Sequence, residues 1–381
     1  MVNKQSIKAI VIAGAGGIGE ATAILLARHF QDQVKLFIGN RTVSKAERVV
    51  NQIKEHFPTA NAQFFSLAED LNEEMQSAVN SSSVLLDCLP GSEAPRMAQL
   101  ALIYGMHYAN LTEYVAETSS IIELAAKAET GFILQTGLAP GFINVLAHGV
   151  FKQFCQKFEV EQVDLISMKV GALTRHATPP HYYGFTWSPV GVATEYLMDT
   201  ICLRENKKVI LSSLSEPKQV IIDGITYEED LTSGGTADLP DFFAGRVESL
   251  EYKTLRYPGH YNWVKERLAV IPKDEDRVAH LQKQMEANIP HVEDDQVIIY
   301  CAVEGPDIYG NRQRLETNYQ IPPMSIGDIT LRAIQVTTAA PLAECARILM
   351  EKDPKGVITQ SQLDPETFLN GEIVKSVFNS V

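Results

Sequence analysis

The chain has 381 residues, 45% hydrophobic and 21% charged, which suits about two soluble globular domains. Its net charge of -14 argues against a nucleic-acid partner, because phosphate backbones need clustered Lys and Arg. No stretch approaches the ~18 uninterrupted apolar residues of a membrane span, so no membrane partner and a cytoplasmic location are expected. The five cysteines, Cys88, Cys155, Cys202, Cys301 and Cys345, are scattered and form no CxxC pair. They read as reduced thiols, with no disulfide framework and no zinc site. His176 and His181, five apart with prolines between, match no familiar ligand pair, so no metal is expected.

The run from Ile7 to Ala13 is apolar without alternation, as in a strand buried on both faces of a parallel sheet. Read with the following "GAGGIG" it could pass for a signal-peptide core, but its glycines and the amphipathic helix after it favour a strand and a turn. Gly14, Gly16 and Gly19 stand at the G-x-G-x-x-G spacing, with Ala15, Gly17 and Ile18 between them. The spacing alone is a weak signal. Strand before, helix after and a second strand on time make it a dinucleotide-binding bend, with the diphosphate at the helix N-terminus.

The second strand, "VKLFIG", ends where an acidic residue would hold the ribose of NAD. The chain has Asn40, Arg41 and Thr42 there, with Ser44 and Lys45 close behind. A guanidinium pairs with a 2′-phosphate instead, which favours NADP(H) over NAD(H). Stacking of Arg41 on the adenine would leave NAD(H) open.

Strands and helices then alternate: "KAERVVNQI", "QFFSL", "LNEEMQSAVN", "SVLLDCLP", "APRMAQLALIYG", "MHYANLT", "TSSIIELAAKAETG" and "FILQTG". This predicts an α/β first domain, 1–139, of the Rossmann type with a parallel sheet. Ligands lie beyond the carboxyl ends of such strands, which nominates Cys88, Leu89 and Pro90, then Leu111, Thr112 and Glu113, as walls of the nicotinamide half. Cys88 reads as a nucleophile or as a small residue packed on the cofactor, the second being the plainer reading.

After "GLAPGFINVLA" the strands alternate and the turns become irregular: "QVDLISMKVGAL", "KQVIIDG", "RVESLEYKTLRYPGH", "DDQVIIYCAVEG". This predicts an α+β second domain, 140–335, with a mixed, largely antiparallel sheet. "ITLRAIQV" and "PLAECARILMEK" read as helices, with Pro341 at a first-turn position. The segment 336–381 is expected to return to the first domain.

"GLAPGFINVLA", "FTWSPVGVATEYL", "TSGGTADLP", "LEYKTLRYPGH" and the closing "QLDPETFL", in this order after the glycine bend, resemble the segments of the saccharopine dehydrogenase and lysine 6-dehydrogenase family. The likeness spans nearly the whole chain. It implies an NAD(P)-dependent oxidoreductase acting on a C–N bond of an amino acid, and a homodimer. Carboxynorspermidine dehydrogenase, a polyamine enzyme, is a related activity. Relatives carry an aspartate in a DLTE-like stretch. This chain has Asn110, an amide that cannot act as a base. On that residue alone rests a different reading, a catalytically silent NADP(H)-binding sensor or partner protein.

Amine oxidation needs a hydride acceptor, a proton acceptor and water. His181, Glu113, Lys253 and His260 are the acid–base candidates. For the substrate carboxylate, Arg256 comes first and Arg175 second, each against the plain reading of a loop cation. The polar turn Thr232, Ser233, Gly234 and Gly235 offers further donors, or serves only as a glycine turn between strands.

Overall fold

The computed structural model describes residues 8–113 and 115–379, so Ile7 of the first apolar run lies outside the described residues. The chain forms two compact units. One takes the residues up to Gly141, then Ser325–Leu331, then those from Gln335 onward. The other takes Phe142–Met324 and Arg332–Ile334. Among the described residues no helix is long and apolar enough to cross a membrane.

The first unit is built on seven parallel strands: β1 (Lys8–Ala13), β2 (Val34–Asn40), β3 (Asn61–Ser66), β4 (Val84–Asp87), β5 (His107–Asn110), β6 (Gly131–Ile133) and β17 (Gly356–Ile358). Their order is β17-β6-β5-β4-β1-β2-β3, so the winding reverses between β1 and β4. Residues of β1 and β4 other than Lys8 are buried, which explains their unbroken apolar runs. Between strands run α1 (Gly17–Phe30), α2 (Val43–His56), α3 (Glu73–Asn80), α4 (Ala94–Ile103) and α5 (Val115–Leu124). A core of Val11, Leu85, Tyr108, Met97, Ile121 and Phe132 fills the space under the sheet.

The second unit has an eight-stranded sheet. Its spine is β10 (Lys218–Ile222), β11 (Ile225–Leu231), β12 (Val247–Arg256), β7 (Val163–Thr174), β13 (Asp295–Pro306) and β14 (Arg312–Ile321). β8 (Thr200–Arg204) joins the edge of β12 and pairs with β9 (Lys207–Leu211). Only β12 and β7 run parallel, so the sheet is mixed and mostly antiparallel. Helix α6 (Phe142–Phe158) lies on β7 and β13. Helices α7 (Pro189–Leu197), α9 (His260–Val270) and α10 (Arg277–Glu286) close around Phe185, Trp263, Leu281 and Met285.

Two readings near the C-terminus need correction. "ITLRAIQV" is not one helix: Ile329–Leu331 is a short strand, and α11 (Ala333–Lys352) starts after it. Pro341 is not in a first turn but inside that 20-residue helix. The buried Asp295 carboxylate accepts from the Ala333 and Ile334 N–H groups at 2.7 and 2.9 Å and starts the helix there. No local sequence pattern announces a cap 38 residues upstream.

Candidate functional site

The glycine bend follows β1 directly, at the carboxyl ends of the strands and at the reversal point of the sheet, where doubly wound folds bind ligands. Gly14 has φ +107, a conformation that a side chain would strain. Its N–H donates to the Gly39 carbonyl at 2.8 Å, locking the bend against the end of β2. A Cβ at Gly19 would stand 2.0 Å from the Gly14 carbonyl oxygen, so this position lets α1 close on the bend. A Cβ at Gly16 would meet nothing within 4 Å. No side chain caps α1, which leaves its first turn to an external anion.

Asn40 ties the ribose end to the bend. Its Oδ1 accepts from the Ala15 N–H at 3.1 Å and its Nδ2 donates to the Thr42 carbonyl at 3.0 Å. Arg41 and Thr42, next to that anchor, are both exposed, and Arg41 makes no hydrogen bond or ion pair among the described residues. Nearby Arg48 is committed, its two terminal nitrogens donating to Glu20 at 2.8 and 2.9 Å. Arg41 and Lys45 are thus the exposed cations here whose side chains have no hydrogen-bond or ion-pair partner among the described residues.

On the other side of β1, the Cys88 carbonyl oxygen lies 2.9 Å from where a Gly14 Cβ would be. The Cys88 thiol is pushed far up by burial, and next by the Asp87 carboxylate beside it. A thiol held in its neutral form is a weak nucleophile. Leu89 and Pro90 continue this wall. Asp87 was not singled out in the sequence, although an aspartate closing an apolar strand is a recognisable signal. It is 2% exposed, accepts from the Leu89 N–H at 3.0 Å and from the Tyr108 hydroxyl at 2.9 Å, and is pushed up to about 7 by burial.

Asn110 ends β5. Its Oδ1 accepts from the Gln135 N–H at 2.9 Å, and its carbonyl accepts from the Thr136 N–H and hydroxyl, both at 2.8 Å. The amide therefore holds the strand to the loop after β6. Thr112 is buried. Glu113, next on the same loop, is half-buried, and burial alone pushes its carboxyl up to about 7. A carboxyl poised there exchanges a proton near neutral pH.

The other three acid–base candidates belong to the second unit. The His260 ring is fully buried. Its Nδ1 lies 2.7 Å from the His181 carbonyl, which can only accept, so Nδ1 carries the proton. Its Nε2 then accepts from the Tyr196 hydroxyl at 3.0 Å, and that oxygen accepts from Arg256 Nε at 2.6 Å. Burial, and next the Arg256 charge, push His260 down to about 3. In this network His260 links the Tyr196 hydroxyl to the His181 carbonyl. His181 enters the network through its carbonyl, and its ring Nδ1 accepts from the Tyr183 N–H at 3.3 Å.

Arg256 sits in the same network. It is 1% exposed and donates to the Tyr196 hydroxyl, to the Leu255 carbonyl at 2.9 Å and to Glu195 Oε1 at 2.6 Å. Its guanidinium lies 4.8 Å from the Tyr183 ring centroid. The fork read for a substrate carboxylate is filled by Glu195. Arg175 stands apart from this network and is half-exposed, 3.4 Å from Asp294. The polar turn does belong here. The Thr232 and Thr254 hydroxyls form a hydrogen bond at 2.6 Å, and the Ser233 N–H donates to the Glu195 carbonyl at 3.0 Å. Gly234 has φ +87, and a Cβ at Gly235 would run into the Tyr252 ring.

Lys253, three residues before Arg256, faces the other side of β12. It is fully buried, donates to the Glu216 carbonyl at 3.0 Å, and lies 3.7 to 3.8 Å from the Glu216, Glu229 and Glu251 carboxylates. Lys169 pairs with Glu229 at 2.7 Å, and Arg204 with Glu216 and Glu251 at 2.9 and 2.7 Å. Three cations face three carboxylates. Lys253 is a member of a balanced internal cluster.

Residues 10–134 match the model of the saccharopine dehydrogenase NADP binding domain, and residues 137–377 that of the saccharopine dehydrogenase C-terminal domain. Among solved structures, the chain is similar to apo saccharopine dehydrogenase (L-Glu forming) from Saccharomyces cerevisiae. The TM-score is 0.76 at 13% identity, over 97% of each chain. It is also similar to a homospermidine synthase from Legionella pneumophila in complex with NAD. There the TM-score is 0.64 at 13% identity, over 97% of this chain and 90% of the other. At these identities the likenesses speak for the fold, and the two matched models for descent. The chain belongs to the saccharopine dehydrogenase family of oxidoreductases and carries that family's nicotinamide-dinucleotide-binding domain.

Proposed function

We propose that the protein is an NADP(H)-dependent oxidoreductase acting on a C–N bond of an amino acid, as a homodimer. The observation that carries the cofactor choice is Arg41, an exposed and uncommitted guanidinium where an NAD enzyme would place a carboxylate. The dinucleotide is held by the N-terminus of α1 over Gly16, by Asn40, Arg41 and Thr42, and along Cys88, Leu89 and Pro90. Bound there, it supplies the hydride chemistry. Glu113 supplies the proton step: its carboxylate oxygen takes a proton from the substrate ammonium during oxidation and returns it during reduction.

The test follows NADPH absorbance with 2-aminoadipate semialdehyde plus glutamate, and NADP reduction with lysine and with saccharopine. Turnover in either direction supports the reading. Turnover only with carboxynorspermidine moves the substrate to the polyamines. Tight NADPH binding without turnover across a broad amine panel leaves a silent binding protein and refutes the catalytic part. Light scattering on the purified chain checks the dimer.

A further inference from the structure

The G-x-G-x-x-G spacing accounts for Gly14, Gly16 and Gly19 but not for Gly17. The structure gives Gly17 its own reason. A Cβ there would stand 2.7 Å from Nε2 of Gln335, whose side-chain amide donates to the Gly17 carbonyl at 3.0 Å. Gln335 comes 318 residues later, in the first turns of α11, and is 8% exposed. The bend is therefore open above Gly16 and clamped at Gly17.

Resting on the dinucleotide site described above, we infer that Gln335 is a positioning residue for the diphosphate. The Gly17 carbonyl and the Ile18 N–H belong to one planar trans peptide and point in opposite directions. Holding the carbonyl along the helix fixes the Ile18 N–H toward the open N-terminal end, where the diphosphate oxygens accept. Gln335 thus acts through the Gly17–Ile18 peptide, and glycine at 17 is what lets its amide come close. The partner of this device is a dinucleotide diphosphate, whichever ribose follows it, so Gln335 serves NADP(H) and NAD(H) alike. Arg41 acts on the ribose end and discriminates between them. The two residues divide affinity and selectivity.

Gln335→Met keeps the side-chain length and removes the amide. Gly17→Ala places a methyl group against Gln335, away from the open side at Gly16. Both break one contact, so their effects on cofactor binding should not add. The expected result is a dissociation constant for NADPH raised roughly three- to tenfold in each variant, the range of one hydrogen bond. NADH should weaken by the same factor. The double variant should be no weaker than the weaker single one, and the apoprotein's melting temperature should fall only by the few degrees that one hydrogen bond accounts for. Wild-type affinity in Gln335→Met, additive losses in the double variant, or a melting temperature lowered by more than about 10 °C would each overturn the inference. If the wild-type chain bound neither dinucleotide, the cofactor reading itself would fall, and this inference with it.

Discussion

Glu113→Gln separates the catalytic reading from a merely structural one, because one substitution moves two observables in opposite senses. Burial raises the Glu113 carboxyl from 4.5 to about 7. At 1.36 kcal/mol per pKa unit, keeping it ionised in the folded chain costs at most about 3 kcal/mol, and its residual contact with water brings this to about 1–2 kcal/mol. The folded state binds this proton more tightly than the unfolded state. The contribution is therefore fully present below pH 4.5 and is lost as pH rises through 7. Glutamine matches the protonated carboxyl in shape and never ionises. Stability of the two proteins should agree near pH 4.5, and above pH 8 the variant should be the more stable by about 1–2 kcal/mol. Over the same range kcat for amine oxidation should fall about 10²- to 10⁴-fold, the usual loss for a general acid–base group. Urea unfolding at pH 4.5 and 8.5, paired with steady-state rates, reads both. A pH-independent stability difference with kcat within twofold of wild type would refute the reasoning, since Glu113 would then be an ordinary ionised carboxylate with no part in proton transfer.

Three further outcomes are expected. Arg41→Ala should weaken NADPH binding about 10- to 100-fold, the range of a charge-assisted hydrogen bond, and leave NADH binding unchanged. Titration calorimetry with both dinucleotides checks this, and equal losses for the two would void the NADP assignment. Lys253→Met should destabilise the protein by about 3–5 kcal/mol, because Glu216, Glu229 and Glu251 would be left with two cations in a buried cluster. Denaturant unfolding measures this, and an unchanged midpoint would show that the cluster is already hydrated. Arg256→Lys should cost about 1–3 kcal/mol by losing the Nε bond to Tyr196, with the KM for the amino acid unchanged. A KM raised tenfold in a protein of wild-type stability would restore Arg256 as the carboxylate fork.

The parts legible in the sequence are those whose causes are local. The glycine bend, the strands on either side of it and the missing ribose carboxylate each depend on a few neighbouring residues, and the structure places them where the spacing put them. In the second unit the hairpin of β8 and β9 escaped notice because its turn, Glu205-Asn206, has positive φ at both residues without a glycine to mark it. The surroundings of the charged candidates were not legible in the same way. Arg256 and Lys253 are three residues apart on one strand, and sequence alone weighs them as cations near a loop. What each does is decided by residues far away in the chain: Glu195 and Tyr196 for one, Lys169, Arg204, Glu216 and Glu229 for the other.

Glu113 shows the converse. Its raised pKa has no partner that a motif could encode, since it comes from desolvation alone. A carboxyl next to a cation would be held ionised at neutral pH, and one in open water would titrate near 4.5. Only a carboxyl deprived of water and left without a counter-charge can both hold and release a proton near pH 7. Arg256 and Lys253 are instead tied into hydrogen bonds and ion pairs, and burial holds His260 far below the usual imidazole range. Charge that is paired builds the scaffold, and charge that is left unpaired near a strand end is available for chemistry. By that criterion Glu113 and Arg41, rather than the more conspicuous buried cations, are the residues on which the proposed function rests.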